Sequence, residues 1–202
     1  MANIAITNYC NLKCSYCFAD DMIHEPNKNM LVEDYIKILK YLVEKNNVTY
    51  LGIIGGEPTL HPDFREILCE SNQCANRNNI QFTLFTNGIE LEQYLQYIGN
   101  SINILINCNN FINMSFTQVN KFHSTIKHLS DLGWLHNKKA NLGCNIYMEE
   151  YNYDWIWMLV DTYHIQSLRC SVVSPGGKYV SWRTKKDEYF KIMKPIFLNF
   201  CE

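Results

Sequence analysis

The chain has 202 residues, of which 47% are hydrophobic and 19% charged, so it can bury a core and is not disordered. A formal net charge of −2 argues against a nucleic-acid groove and against a surface that binds anionic membranes. The nine cysteines, the lack of a basic leader and the lack of a long apolar run predict a cytoplasmic protein.

Strand-like and helix-like segments alternate along the chain. The predicted strands are residues 2–7, 48–54, 80–85, 101–107, 141–147 and 165–173. The predicted helices are residues 31–44, 61–77, 90–97, 116–129, 152–163 and 186–200. Strict alternation predicts a parallel sheet whose ligands bind at the carboxyl ends of the strands. Six such units fall short of the eight in a closed barrel.

Three cysteines, Cys10, Cys14 and Cys17, follow the first predicted strand within eight residues. A loop can direct its thiols toward one centre, and the neighbouring Lys13 is expected to favour the metal-binding thiolate form. A structural zinc site or an iron–sulfur cube commonly takes four ligands, and no fourth ligand follows at finger-like spacing. Three thiolates on a cube would leave one iron open. A zinc loop or three unrelated buried thiols are the alternatives.

The second predicted strand ends at Gly55-Gly56-Glu57-Pro58. Glycines allow the backbone to approach a ligand closely, and a carboxylate beside exposed carbonyls can receive an ammonium group. The alternative is an ordinary turn between a strand and a helix, because glycine and proline are common turn residues.

The cysteine spacing, with Tyr16 before the last cysteine and Gly55-Gly56-Glu57-Pro58 after it, resembles the radical S-adenosylmethionine (SAM) enzymes. Within that superfamily it is most similar to the peptide- and protein-modifying branch. The resemblance implies an α/β fold, a partial (β/α)6 TIM-like barrel with parallel strands and outer helices, as one domain over residues 1–202. It implies a [4Fe–4S] cluster on Cys10, Cys14 and Cys17, with SAM on the open iron.

The resemblance also assigns residues to SAM. The implied cofactor-binding residues are Tyr16, Gly55, Gly56, Glu57, Pro58 and Asn107. The glycine-rich motif would hold the methionine amino group, and Tyr16 would lie near the adenine or pack under the cluster. Many relatives have serine at the Asn107 position and aspartate at the Asn109 position, so asparagine at both is a departure from the pattern.

The implied reaction is reductive cleavage of SAM to a 5′-deoxyadenosyl radical that abstracts hydrogen from a substrate, with a peptide or protein preferred. A flavodoxin or ferredoxin is the implied electron donor. Two alternatives stay open: a non-catalytic iron–sulfur or zinc-binding regulatory module on the same fold, and an activase of a glycyl-radical enzyme.

Other residues receive weaker assignments. Thr86-Asn87-Gly88 is expected either to contact substrate or only to make a turn, and Cys144 and Asn145 point to opposite faces of their strand. Arg169 could reach a carboxylate of SAM or of the substrate, but it is expected to be a surface or structural residue. Cys201 marks a place where a cysteine-rich extension could begin. Four further cysteines are predicted to be buried thiols: Cys69, Cys74, Cys108 and Cys170.

Overall fold

The computed structural model describes residues 2–17, 19, 23, 26, 28–46, 48–147, 152–173 and 194–195. Its strands are β1 Ala2–Ala5, β2 Tyr50–Ile54, β3 Gln81–Thr86, β4 Ile102–Cys108, β5 Ala140–Ile146 and β6 Leu168–Val172. Its α-helices are α1 Val32–Asn46, α2 Phe64–Asn78, α3 Phe116–Asp131 and α4 Asp154–Thr162. Short 3-10 helices occupy Pro58–Leu60, Glu92–Tyr97 and Phe111–Asn113.

The six strands form one sheet in the order β1-β2-β3-β4-β5-β6, and every neighbouring pair is parallel. Within the described residues β1 and β6 do not pair, so the barrel is open on one side. The predicted fold, a partial six-strand barrel with outer helices, is therefore confirmed.

Apolar side chains on the outer face of the sheet pack against the helices. Leu51, Ile53, Phe82 and Leu84 have no solvent exposure, as expected for parallel strands covered by helices. The helices contribute the other side of this core with Tyr35, Leu39, Phe64, Ile67, Leu68, Phe122, Ile126, Leu129, Ile156 and Leu159. The inner face combines glycine and polar side chains with the larger Phe85 and Leu105, and these residues line a cavity inside the barrel.

Local capping fixes where two of the helices begin. Ser115 caps α3 in a capping box, in which Ser115 Oγ accepts from Gln118 N and Gln118 Oε1 accepts from Ser115 N. The helix predicted from His61 begins instead at Phe64. His61 is buried, with Nε2 bonded to Met30 O and Nδ1 accepting from the Asp63 backbone N–H, so it holds the chain before the helix.

Three further predictions differ from the structure. The short helix predicted at residues 90–97 is the 3-10 helix Glu92–Tyr97. Cys69 and Cys170 are exposed and Cys74 is half-buried, so of the four predicted buried thiols only Cys108 is buried. Cys69 lies on the solvent side of α2, and Cys170 lies on the last strand of the sheet.

The predicted last helix, apart from residues 194–195, lies outside the described residues, as does Cys201. In the described part of the chain no helix is both long enough and apolar enough to cross a bilayer.

Candidate active site

A cavity of about 460 Å³ opens at the carboxyl ends of the strands. Eight residues predicted to bind the cluster or SAM line this cavity: Cys10, Cys14, Tyr16, Cys17, Gly55, Gly56, Glu57 and Asn107. Pro58, the ninth, is buried at the start of a 3-10 helix behind the cavity wall. The fold therefore gathers residues that are almost 100 positions apart in the sequence.

The three cysteines lie on the loop after β1 and close to one another. Burial raises the pKa of Cys10 to about 11 and that of Cys14 to about 12. Repulsion adds to both shifts, from Glu57 and Cys17 for Cys10 and from the other two cysteines for Cys14. The expectation that Lys13 favours the thiolate form is wrong, because Lys13 is exposed and the pKa values of these thiols rise. Both thiols are thus protonated at neutral pH, and binding a metal centre would release their protons.

Asn109, at the end of β4, joins the cysteine loop to the opposite side of the cavity. Its Oδ1 accepts hydrogen bonds from the Tyr16 hydroxyl and from the Cys14 thiol, the latter at 3.0 Å. The Tyr16 ring packs on Tyr147 with 4.6 Å between centroids. Burial raises the pKa of Tyr16, so its hydroxyl stays protonated and donates to the amide oxygen. The amide oxygen of Asn109 therefore bonds two side chains of the protein itself.

Glu57 is almost completely buried, with 1% of its surface exposed. Its Oε1 accepts from Thr59 N at 3.2 Å, Thr59 Oγ1 at 2.7 Å and Thr86 Oγ1 at 2.6 Å, while its Oε2 accepts from Asn87 N at 2.6 Å. Burial raises the pKa of this carboxyl group, and the four donors oppose that rise. The carboxylate thereby ties the end of β2 to the end of β3 and keeps one acceptor position on Oε2.

The glycine pair before Glu57 is packed against the segment that leads into the cysteine loop. A Cβ atom on Gly55 would lie 2.5 Å from Thr7 O, and one on Gly56 would lie 2.4 Å from Tyr9 O. The backbone N–H of Gly56 donates to Thr7 O at 2.8 Å, and that of Glu57 donates to Tyr9 O at 2.7 Å. Close contact between two backbone segments is thus one reason for glycine here.

Asn87 connects the same region to the cysteine loop. Its Nδ2 donates to Asn11 Oδ1 at 2.8 Å, and its Oδ1 accepts from Ile89 N at 3.0 Å. Gln118, from the start of α3, donates to Asn11 O at 3.0 Å. Thr86-Asn87-Gly88 was expected either to contact substrate or only to make a turn. The structure shows contacts that hold the turn and the cysteine loop in place.

The inner face of β4–β6 brings Asn107, which the resemblance assigned to SAM, beside residues that had no assigned ligand. Asn107, Gly143 and Arg169 are paired in register on these three strands and line the cavity. Asn145 lines the cavity with them. Cys144, the preceding residue, is buried in the core and also contributes to the cavity lining. Arg169 is exposed, in agreement with the expected surface position, and it also borders a second cavity of about 360 Å³ in the barrel.

The donor set fits a [4Fe–4S] cluster that leaves one iron open. Three thiols from one loop reach the cavity, one fewer than the four ligands that a closed zinc site commonly takes. Three thiols on a cube would leave one iron for a non-protein ligand. Gly55, Gly56 and Glu57 line the cavity beside them and provide polar groups for that ligand.

Comparison with known families decides the classification. The model of the radical SAM superfamily matches residues 4–139. The chain belongs to the radical SAM superfamily. This family uses a [4Fe–4S] cluster and SAM, in agreement with the cofactors that the sequence predicted.

Individual relatives share only part of their length with this radical SAM chain. It is 37% identical over 93 residues to a probable GTP 3′,8-cyclase of Methanococcus aeolicus, covering 46% of the chain and 31% of the relative. It is 33% identical over 93 residues to molybdenum cofactor biosynthesis protein 1 of Bos taurus, covering 46% of the chain and 14% of the relative. The matched region thus spans about a third or less of these relatives.

Solved structures extend the similarity over more of the chain. Streptococcus suis SuiB bound to SAM superposes with a TM-score of 0.68 at 22% identity, covering 88% of this chain and 41% of SuiB. SuiB bound to the precursor peptide SuiA gives a TM-score of 0.66 at 19% identity, covering 86% and 39%. At this level of identity the similarity establishes the fold.

Proposed function

We propose that this chain is a radical SAM enzyme whose cluster is held by Cys10, Cys14 and Cys17. The observation that carries the proposal is that these thiols and the Gly55–Glu57 segment line one cavity at the carboxyl ends of parallel strands. When bound, the cluster supplies one electron to SAM, and the products are methionine and a 5′-deoxyadenosyl radical that abstracts hydrogen from a substrate.

Each part of the cavity wall has a distinct task in this proposal. The polar groups of Gly55, Gly56 and Glu57 hold the methionine amino group, because backbone carbonyls and the open position on Glu57 Oε2 are acceptors. Asn109 orients Tyr16, and Asn107 bonds a ribose hydroxyl or the methionine carboxylate. Apolar side chains that line the same cavity exclude water from the reacting centre: Ile54, Phe85 and Leu105.

We infer that the substrate is a peptide or protein, as the sequence motifs favour. The open side of the barrel between β1 and β6 leaves a lateral entrance for a large substrate. The SuiB structure with its precursor peptide supports this choice by fold alone. The sequence relatives favour a second candidate, GTP, because they are GTP 3′,8-cyclases. A flavodoxin or ferredoxin is the proposed electron donor.

The proposal is tested on the chain reconstituted with iron and sulfide without oxygen, then supplied with SAM and dithionite. It should hold about four irons and form 5′-deoxyadenosine slowly without substrate. Alanine at Cys10, Cys14 or Cys17 should abolish both, whereas serine at the exposed Cys69 should change neither. Full iron content in any one of the three alanine variants, or tight zinc binding without SAM cleavage, would contradict the proposal.

A further inference from the structure

We propose that Arg169, together with the space above Gly143, binds an anionic group of the substrate, either a carboxylate or a phosphate. The inference rests on the proposed function, since it places the substrate inside the cavity that SAM would share. It narrows the substrate to a molecule that carries a negative charge at one defined position relative to the cysteine loop.

The register of the sheet brings the three residues of this site into one row. Asn107 on β4 pairs with Gly143 on β5, and Gly143 pairs with Arg169 on β6. Neighbouring strands lie about 4.8 Å apart, so the backbones of Asn107 and Arg169 are separated by about 10 Å. Their side chains line the same cavity with no side chain between them, because the middle residue is glycine.

The space above Gly143 is not required by packing within the protein. A Cβ atom on Gly143 would have Asn107 Oδ1 and Leu105 Cδ1 as its nearest neighbours, both at 3.5 Å, which is ordinary van der Waals contact. Gly56 is the opposite case, since a Cβ atom there would lie 2.4 Å from backbone. Glycine at position 143 therefore leaves a gap that a ligand group can enter.

The charges around the cavity favour an anion in that gap. Among the described lining residues Arg169 is the one cationic side chain and Glu57 the one carboxylate. Glu57 is already engaged by four donors at the opposite side, whereas the side chain of Arg169 makes no ion pair or hydrogen bond with another described residue. The planar guanidinium presents paired N–H donors that match a carboxylate or phosphate.

The neutral side chains near Arg169 add donors without adding negative charge. Asn107, Asn109, Asn145 and Ser171 line the cavity around it, and none of them carries a charge. An ammonium group placed here would meet Arg169 with no carboxylate to compensate. The site thus attracts anionic substrate groups and repels cationic ones.

The test uses the reconstituted, SAM-loaded chain and measures dissociation constants by calorimetry for four probes. GTP represents a nucleotide phosphate, and acetyl-Ala-Glu-Ala-amide represents a peptide carboxylate. The glutamine and lysine forms of the same peptide are the neutral and cationic controls. At least one anionic probe should bind more tightly than both controls. Arg169→Gln should weaken that probe about tenfold or more, as expected for lost charge-assisted hydrogen bonds. Arg169→Lys should restore part of the loss.

Two further measurements separate this site from others. Gly143→Ala should weaken the anionic probe by filling the gap, while thermal stability stays near that of the wild type. The affinity for SAM should change less than about twofold in Arg169→Gln, because a lost contact to the SAM carboxylate would cost about tenfold. Preferential binding of GTP or of the glutamate peptide identifies the source of the anion, and either result supports the inference.

Several results would overturn the inference. They are unchanged anion binding in Arg169→Gln, a tenfold loss of SAM affinity in that variant, equal or tighter binding of the lysine peptide, and no binding of either anion by the wild type. Failure of the wild type to cleave SAM would instead reject the proposed function. If the wild type cleaves SAM but its anion binding does not depend on Arg169, only this inference is rejected.

Discussion

At the rim of the barrel, the ends of β1–β3 use their polar side chains to bond one another, whereas the ends of β4–β6 leave several directed into the cavity. On the first side, Glu57 accepts four hydrogen bonds and Asn87 bridges to Asn11. On the second side, the side chains of Asn107 and Arg169 make no hydrogen bond with another described residue, and Gly143 separates them.

This difference matches two different tasks. A cluster loop has to be held in one geometry before its ligand binds, and buried, fully bonded polar groups provide that rigidity. A substrate site needs donors that are unpaired until the substrate arrives, because each bond already made within the protein must be broken first. The β1–β3 side is therefore suited to holding the cluster loop, and the β4–β6 side to binding groups of SAM and of the substrate.

The strongest test of this difference is to add one methyl group on each side of the rim. Gly56→Ala should cost about 3 kcal/mol of unfolding free energy, because its Cβ would lie 2.4 Å from Tyr9 O and backbone has to move. It should also lower iron loading, since Tyr9 precedes the cysteine loop. Gly143→Ala is the matched control and should be nearly neutral in urea unfolding. Equal stability of the two variants would show that the two sides do not differ in packing.

Glu57→Gln removes the charge on the rigid side without changing the shape of the side chain. The amide oxygen can keep the donors Thr59 and Thr86, but the amide nitrogen then faces the Asn87 backbone N–H, another donor. We expect a loss of about 2 kcal/mol in unfolding free energy and weaker SAM binding.

Glu92→Gln is the control for this variant, because Glu92 is partly exposed and, among the described residues, its carboxylate bonds His128 alone, at 3.3 Å. Its unfolding free energy should stay within about 0.5 kcal/mol of the wild type. If Glu57→Gln unfolds at the same urea concentration as Glu92→Gln, the carboxylate does not join β2 to β3.

Chain-local patterns were enough for the strands and for the cofactor motifs. Apolar segments bounded by Gly55-Gly56 and by Asn87-Gly88 located β2 and β3 to within a few residues, and the cysteine spacing located the cluster loop. Both kinds of signal come from residues that are close together in the sequence, so they can be recognised without the structure. Whether Cys10, Cys14 and Cys17 bind the cluster stays a prediction that the proposed iron measurement tests.

The contacts that complete the site depend on the register of the strands. Residues that are close together in the sequence do not determine that register. Asn109 meets Tyr16 across 93 positions, and the phase of β6 that turns Arg169 into the cavity follows from its pairing with β5. The exposure of Cys170 likewise depends on its place at the end of the sheet, so residue hydrophobicity gave the wrong expectation.

A double-mutant cycle sharpens the comparison at a single hydrogen bond. Asn87→Ala, Asn11→Ala and the double variant should give a coupling free energy of about 1 kcal/mol in urea unfolding, because Asn87 Nδ2 donates to Asn11 Oδ1 at 2.8 Å. Asn107→Ala paired with Asn11→Ala is the control and should show no coupling. Additive effects of the Asn87 and Asn11 substitutions would mean that this bond does not hold the cysteine loop.

The smallest expected effect concerns pH and lies outside the rim, behind β4. His123 packs against Phe111 with 5.1 Å between ring centroids, and its Nδ1 lies 3.0 Å from the Tyr163 hydroxyl. Burial lowers the pKa of His123 from its ordinary value of 6.5. The unfolded chain therefore binds this proton more tightly than the folded chain, and stability is lost as pH falls through about 6.5 and below.

His123→Phe keeps an aromatic ring beside Phe111 but cannot take up a proton. Thermal unfolding measured at pH 7.5 and at pH 5.5 should therefore show a smaller loss of melting temperature for the variant than for the wild type. The comparison uses each protein's own change between the two pH values, so a constant difference caused by losing the Tyr163 hydrogen bond cancels. Parallel changes in the two proteins would show that the burial of His123 does not contribute to acid sensitivity. In that case the acid sensitivity has another origin, and the rim with its cysteine loop is the next region to test.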